Sequence, residues 1–145
     1  MGCRRDERGQ ALLEAALVTP LILLIMVGIF EVGRAYETWQ VVTNAAREGA
    51  RAAVVPNADP ATVQALVQQY LVDGQLAAAM DASVAVNRQA QIEVNGTAFG
   101  ASEVSVDYPF EFMVLQPVAQ LVVSGSRVGE PITIHAASLM RNEAQ

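Results

Sequence analysis

Two residues near the N-terminus have the types and the spacing to do chemistry. Gly9 ends a short arginine-rich leader, and Glu14 follows it by five positions. From Gln10 to Ile29, Glu14 is the one ionisable side chain in the sequence. A carboxylate in hydrocarbon is costly, and by default it marks a functional position. Glu14 is therefore a candidate functional residue within an apolar segment.

The segment around Glu14 has the length and composition of a membrane-spanning helix. About 20 residues at a rise of 1.5 Å cover roughly 30 Å, the thickness of one bilayer core. Leu21 and Leu24 lie in a run that is apolar on every face, as a lipid-exposed helix requires. Pro20 lies within the segment and predicts a kink or local unwinding near residues 16–20.

The charges around this segment predict its orientation. Arg4, Arg5 and Arg8 precede it, and only Arg34 follows closely, so the positive-inside rule places the N-terminus in the cytoplasm. A removable secretory signal is the rival interpretation, but it requires a small-x-small cleavage site after the apolar run. Residues 30–36 begin a helical stripe instead, so we favour retention of the segment.

Composition limits the functions of the remaining chain. The formal net charge is −6 and every basic residue is arginine, which argues against a nucleic-acid partner. The single cysteine, Cys3, lies in the leader, so the part after it has neither a disulfide nor a cysteine metal site.

His135 falls on the polar face of a predicted strand, where a solvent-facing role is favoured over catalysis. Asp107 and Glu111 could approach each other on one strand face, but solvated strand charges are far commoner than an acid/base pair. The sequence therefore predicts no catalytic residue, no metal and no cofactor.

Periodicity predicts two helices before residue 81. The first runs from about Gln10 to Val54 and becomes amphipathic beyond the membrane. Small residues occupy its stripe at 45–53, which predicts a very close neighbour. Asp59 is a suitable N-cap for a second helix that begins at Pro60 and stops near Asp73.

Beyond residue 81 the period changes to two, which predicts a small antiparallel sheet. The predicted strands cover residues 84–94, 104–112 and 132–140. The first is either one strand or two short ones broken near Arg88. Asn95 and Gly96 signal a turn, lengthened by a loop that reaches Ala101. Pro109 indicates an edge or a bulge, and a short helix is predicted to begin at Pro117. Together, the two predicted helices and the predicted sheet indicate an α+β fold.

These residues resemble a known family at the N-terminus. The run Arg-Gly-Gln-Ala-Leu-Leu-Glu at residues 8–14 resembles the class III signal of type IV prepilins. The longer run from Gly9 to Arg51 is similar to a TadE-like protein, the pseudopilin family of the Tad (tight adherence) pilus. Glu14-Ala-Ala-Leu-Val-Thr-Pro20 carries part of this resemblance, with similar runs at 28–34 and 43–51. Residues 136–143 are also similar to C-termini of that family, whereas Ala15 stands where an aromatic residue is frequent.

The resemblance implies a pilin-like fold and a minor pilin (pseudopilin) that enters the inner membrane and is incorporated in, or primes, a pilus. A prepilin peptidase would cut after Gly9 and expose the amine of Gln10. Glu14 would pair with such an amine on a neighbouring subunit. The expected domains are a leader at 1–9, a transmembrane helix at 10–33 and a periplasmic or extracellular α+β domain at 34–145.

The implied partners are other pilins, the peptidase, the inner-membrane pilus assembly platform and the lipid bilayer. The alternative is a signal-anchored periplasmic binding or sensor domain that is neither processed nor assembled. A membrane-tethered hydrolase is a weaker third interpretation, because the sequence supplies neither a catalytic triad nor a metal-ligand set. Cleavage after Gly9 separates the pilin from both rivals.

Overall fold

The computed structural model describes residues 4–122 and 125–142, with side chains described from residue 9 onward except at 121–124. Cys3 therefore lies outside the described residues. The elements in chain order are α1 (Arg4–Ala53), α2 (Pro60–Asp73), a short 3₁₀ helix (Ala79–Asp81), β1 (Ser83–Val94), β2 (Thr97–Phe110), α3 (Leu115–Val122) and β3 (Ile132–Arg141). This arrangement confirms the predicted α+β class.

The chain divides into two compact units. The first combines Met1–Arg34 with Phe112–Glu130, and the second combines Ala35–Glu111 with Pro131–Gln145. Thus α3 groups with the N-terminal part of α1, although it lies between β2 and β3 in the sequence. The sequence patterns gave no indication of this grouping.

Within the first unit, α1 is helical without interruption through Pro20. The predicted local unwinding at residues 16–20 is therefore wrong for this described stretch, whereas the predicted kink stays a prediction. The helix α3 begins at Leu115, two residues before the predicted start at Pro117. Gly129 has a φ of +83° and lies so near the first turn of α3 that a Cβ there would stand 2.6 Å from the backbone nitrogen of Gln116. Glycine is required at that position for both reasons.

Within the second unit, small residues let the end of α1 approach its neighbours. Ala45, Ala46, Ala50 and Ala53 are fully buried. Gly49 lies directly against Val67 of α2 and Val104 of β2. The predicted close packing along residues 45–53 is confirmed.

The helix α2 has the predicted N-cap. The Asp59 carboxylate accepts hydrogen bonds from the hydroxyl of Thr62 at 3.0 Å and from its backbone N–H at 3.2 Å. The side-chain bond, followed by the backbone bond, lowers the pKa of Asp59 below its usual value. The helix ends at Asp73 as predicted, and Gly74 is the cap. A Cβ on Gly74 would lie 2.5 Å from Val41 Cγ1, so close packing accounts for this glycine.

The three strands form an antiparallel sheet in the order β1-β2-β3. Asn95 and Gly96 have φ values of 53° and 76°, as a two-residue type I′ hairpin turn requires. Thr97 pairs directly with Val94, so the predicted loop from 97 to 101 is wrong: these residues belong to β2. The pairing with β1 ends at Asp107, so Pro109 lies where β2 has only β3 beside it.

A register shift divides β1 without ending it. The shift falls between Asn87 and Ala90, so β1 is one bulged strand rather than two. The bulge carries Arg88, whose guanidinium donates to three carbonyl oxygens near the end of α1: Ala58 at 2.7 Å, Ala53 at 3.2 Å and Val55 at 3.2 Å. Only Ala53 belongs to α1, and a helix end leaves its last carbonyls without intrahelical partners. The carbonyl of Ala53 also accepts from the hydroxyl of Ser102 at 3.2 Å, and that of Val55 accepts from the N–H of Ala58 at 3.1 Å. Arg88 therefore adds a charged donor to the carbonyls of this turn.

Candidate functional site

The residues predicted to be processed lie on α1 with their surroundings open. Gly9 and Gln10 are both exposed and helical. A Cβ added at Gly9 would meet nothing within 4 Å. An enzyme that acts at this bond would therefore find no other described part of the chain over Gly9.

Glu14 lies on the same exposed stretch of helix. Leu13 and Leu17 beside it are exposed as well, so the carboxylate stands among apolar side chains that the protein itself does not cover. Pro20 and Leu21 are also exposed, and Leu24 is half-buried. The structure thus places the predicted membrane residues on a single helix whose apolar surface faces outward.

One long helix has the properties of a membrane anchor. Among the described residues, Gly9–Ala53 is the segment long and apolar enough to cross a bilayer, and its most apolar stretch has no buried residue. The core helix of a soluble protein would be mostly buried, so this exposure favours a helix that is surrounded by lipid or by other subunits.

A second carboxylate, Glu31, has the most unusual environment in the first unit. It is 0% exposed. Its Oε1 accepts hydrogen bonds from the backbone N–H groups of Met113 at 3.0 Å and Val114 at 2.8 Å. These two groups immediately precede α3, where a helix start leaves N–H donors unpaired. Glu31 therefore supplies, from α1, the acceptor that the chain at the start of α3 needs.

The other oxygen of Glu31 is less well satisfied. Its Oε2 has no hydrogen-bond partner among the described residues and lies 3.8 Å from Nη2 of Arg34. Burying a carboxylate is costly unless hydrogen bonds and a counter-charge compensate. Here the cost of burial is offset by the two charge-assisted hydrogen bonds from Met113 and Val114 and by the nearby guanidinium of Arg34.

Sequence reasoning did not single out Glu31. The signal that could have found it is its place next to the apolar run, three residues before Arg34. Its partners could not have been predicted, because Met113 and Val114 lie 82 and 83 positions away.

The other titratable residues considered in the sequence, His135, Asp107 and Glu111, lie on the sheet or next to it. His135 is exposed, as predicted, and its Nδ1 lies 2.7 Å from Oδ1 of Asp107, its cross-strand neighbour. Glu111 follows the end of β2 rather than sharing its face with Asp107. Within the described part of the chain, no group of three or more His, Cys, Asp or Glu residues could hold a metal ion.

The fold and the exposed helix define an α+β protein with one N-terminal helix of membrane type. Residues 9–51 of this chain match the family model described as TadE-like protein, which confirms the resemblance over that segment. The matched region includes Gly9, Glu14 and Glu31. The chain matches no curated protein and no solved structure.

Proposed function

We propose that this chain is a minor pilin of a Tad-type type IV pilus, a structural and assembly subunit rather than an enzyme. The observation that carries the proposal is the exposed apolar helix with Glu14 inside a segment that matches the TadE-like family. A helix of this kind has two suitable environments, the bilayer before assembly and the contacts between subunits afterwards.

In this proposal α1 holds the subunit in the inner membrane with its N-terminus in the cytoplasm. The arginines of the leader stay on the cytoplasmic side, where positive charge is retained. The α+β domain from residue 34 onward faces the periplasm and becomes extracellular in the assembled pilus. Prepilin peptidase, the assembly platform and other pilins are its partners.

The processing step follows from the leader. The peptidase hydrolyses the bond between Gly9 and Gln10, which leaves a new ammonium group on Gln10. Glu14 of a neighbouring subunit then pairs with this ammonium, and each entering subunit is held in register by that pair. A buried ion pair of this kind is retained for specificity of arrangement more than for stability.

The test is the N-terminus of the protein purified from the membranes of its native cells. N-terminal sequencing and intact mass should show that the chain begins at Gln10. Gly9→Leu should retain the leader, because a bulky side chain obstructs the approach of the peptidase to the backbone. Gly33→Leu is the matched control: a Cβ there also meets nothing within 4 Å, and cleavage should be unaffected.

Wild-type protein that keeps residues 1–9 in cells with an active prepilin peptidase would contradict the proposal. That result would favour the signal-anchored periplasmic domain instead.

A further inference from the structure

The segment Phe112–Glu130 is the part of the first unit that the proposed pilin role leaves unexplained. It connects β2 to β3, contains α3, and belongs to the same compact unit as α1 up to Arg34. Its sequence has no ionisable residue from Phe112 to Ser126. A connection of this composition is unusual at a surface that only water covers.

Glu31 fixes the level of this segment along α1. The stretch from Gln10 to Phe30 is about 30 Å long at roughly 1.5 Å per residue, one bilayer core. If α1 spans the membrane as proposed above, on which this inference rests, Glu31 lies at the outer boundary of the hydrocarbon. Its bonds to the N–H groups of Met113 and Val114 then hold the start of α3 at that same boundary.

Apolar side chains remain uncovered at this level. Met113 is 70% exposed and Val128 is 55% exposed, and both belong to the segment. On α1, Ile29 and Phe30 are exposed immediately before Glu31. The uncovered apolar surface of the membrane helix and that of the segment therefore lie in one compact unit.

The hydrogen bonding of Glu31 suits a water-poor layer. Where water is scarce, backbone N–H groups must find an acceptor inside the protein. The fully buried carboxylate meets this need for Met113 and Val114. Arg34 lies one turn further on, and its guanidinium, 3.8 Å from the second oxygen of Glu31, places a counter-charge at the same level.

We propose that the described residues between Met113 and Val128 lie in the outer interfacial layer of the bilayer, where the apolar side chains of Met113 and Val128 contact phospholipid and Glu31 holds the start of α3 against α1. The segment acts as a second, shallow membrane contact beside the spanning helix. Such contacts gain stability from the apolar area they bury at the headgroup boundary.

The chain offers a matched set of probe positions. Cys3→Ser removes the only thiol, and a single cysteine is then placed at Met113, Met80 or Met26. These methionines are 70%, 76% and 61% exposed, so each position accepts a fluorescent label. Each labelled full-length protein is reconstituted in phosphatidylglycerol and phosphatidylcholine vesicles. Nitroxide lipids quench from inside the bilayer, and iodide quenches from the buffer.

The expected quenching depends on the depth of each label. Deep nitroxides should quench the label at Met26, and shallow nitroxides should quench the label at Met113; each label should be quenched several-fold more than the label at Met80. Iodide should quench the label at Met80 most and the label at Met26 least. If the label at Met26 is quenched but that at Met113 behaves like Met80, the inference is overturned and the membrane anchor stands. If the label at Met26 is not quenched, both the anchor and the inference are overturned.

A third outcome concerns protein partners. A label at Met113 that neither lipid nitroxides nor iodide quench is covered by protein, and this result also overturns the bilayer contact. The choice is therefore between lipid, water and another subunit, and only the first supports the proposal.

Variants of Glu31 test what holds the segment. Glu31→Ala removes the acceptor, so the label at Met113 should become several-fold more accessible to iodide while the label at Met26 is unchanged. Glu31→Gln keeps an amide oxygen as acceptor and should restore most of the protection. Glu37→Ala, an exposed position on the same helix, is the control. Unchanged protection at Met113 in Glu31→Ala would show that Glu31 does not hold the segment.

Discussion

Gly49 of α1 lies in direct contact with Val67 of α2, closer than any side chain at position 49 would allow. A Cβ there would also stand 3.1 Å from Cγ1 of Val104, which lies on the central strand β2. One glycine therefore sets the distance between the end of α1 and the core of the second unit. Valine side chains in such a core sit at near-crystalline density and have little room to move.

Gly49→Ala should destabilise the second unit. Overpacking costs about 1–3 kcal/mol, whereas the gain in helix propensity is about 0.5–1 kcal/mol. Chemical denaturation of the full chain in detergent, followed by the fluorescence of Trp39, measures the difference. Gly33→Ala on the same helix is the control, because nothing lies within 4 Å of its Cβ and only the propensity gain applies. Equal stabilisation by both substitutions would contradict the close contact.

Arg88 should contribute more to stability than any exposed arginine. Arg88→Ala leaves the carbonyls of Ala53, Val55 and Ala58 without this donor, and hydrogen bonds to charged groups contribute about 1.5–3 kcal/mol. Arg88→Lys should recover only part of the lost stability, because an ammonium group lacks the planar fork of the guanidinium.

The control for Arg88 is Arg51→Ala. Arg51 is exposed and forms an i,i+3 pair with Glu48 at 3.4 Å. Such pairs contribute only about 0.2–0.5 kcal/mol. Denaturation midpoints of the three variants should therefore rank Arg51→Ala nearest to wild type. Equal midpoints for Arg51→Ala and Arg88→Ala would show that the three carbonyls do not depend on Arg88.

Because Asp59 caps α2, the free energy of unfolding should depend on pH in the acidic range. Its pKa is lowered in the folded state, so its stabilising effect is present above the usual aspartate pKa of about 3.9 and is lost as the pH falls through the lowered value. Asp59→Asn keeps an acceptor that does not titrate, and should flatten this part of the pH profile. The comparison is the free energy of unfolding of both proteins across the acidic range. Parallel pH profiles would show that the Asp59 carboxylate does not contribute.

Thr62→Val tests the cause of the shift at Asp59. The hydroxyl of Thr62 is the largest contributor, and valine removes it while keeping a similar shape. The pKa of Asp59, followed by NMR titration, should rise toward its usual value but stay below it, because the backbone N–H of residue 62 still donates. A pKa that does not move would assign the shift to the backbone alone.

Local chemistry explains which parts of the fold could be predicted. Asp59 before Pro60 and Asn95 before Gly96 specify a cap and a turn within a few residues, and both are found where the sequence indicated. The alternation of β2 likewise appears as buried Val104, Val106 and Tyr108. These signals depend only on neighbours in the chain.

Long-range contacts explain the errors. Residues 97–101 have the composition of a loop, yet the tight turn at Asn95 and Gly96 aligns them with residues 90–94, and backbone pairing makes them a strand. The backbone just before α3 bonds to Glu31, and Arg88 lies on a bulge that only the pairing with β2 defines. Among the candidate functional residues, the sequence pointed to Glu14, whose role stays a prediction, but not to Glu31, whose partners come from a distant segment.

The last prediction concerns Glu14 and tests the proposed pairing with a processed N-terminus. A carboxylate inside a membrane helix costs up to about 2.5–3.5 kcal/mol on insertion scales, the value at the centre of the helix. A helix that served only as an anchor would be better with an uncharged residue there. Glu14→Gln removes the charge and keeps most of the hydrogen bonding, and Glu14→Ala removes both. Both variants should still enter the membrane and be cleaved after Gly9, yet both should fail to join other pilins or support piliation.

The amine that Glu14 is proposed to contact exists only after cleavage, which gives the pairing a distinctive genetic signature. Gly9→Leu alone should cause an assembly defect similar to that of Glu14→Ala, and the double variant should be little worse than either, because the two changes remove one interaction. Glu37→Gln removes one exposed carboxylate from the same helix and should leave piliation intact. Pili counted by electron microscopy and recovery of the subunit with other pilins, at matched protein levels, provide the readout. Wild-type piliation in Glu14→Ala would exclude the charge pair and favour a helix that only anchors the outer domain.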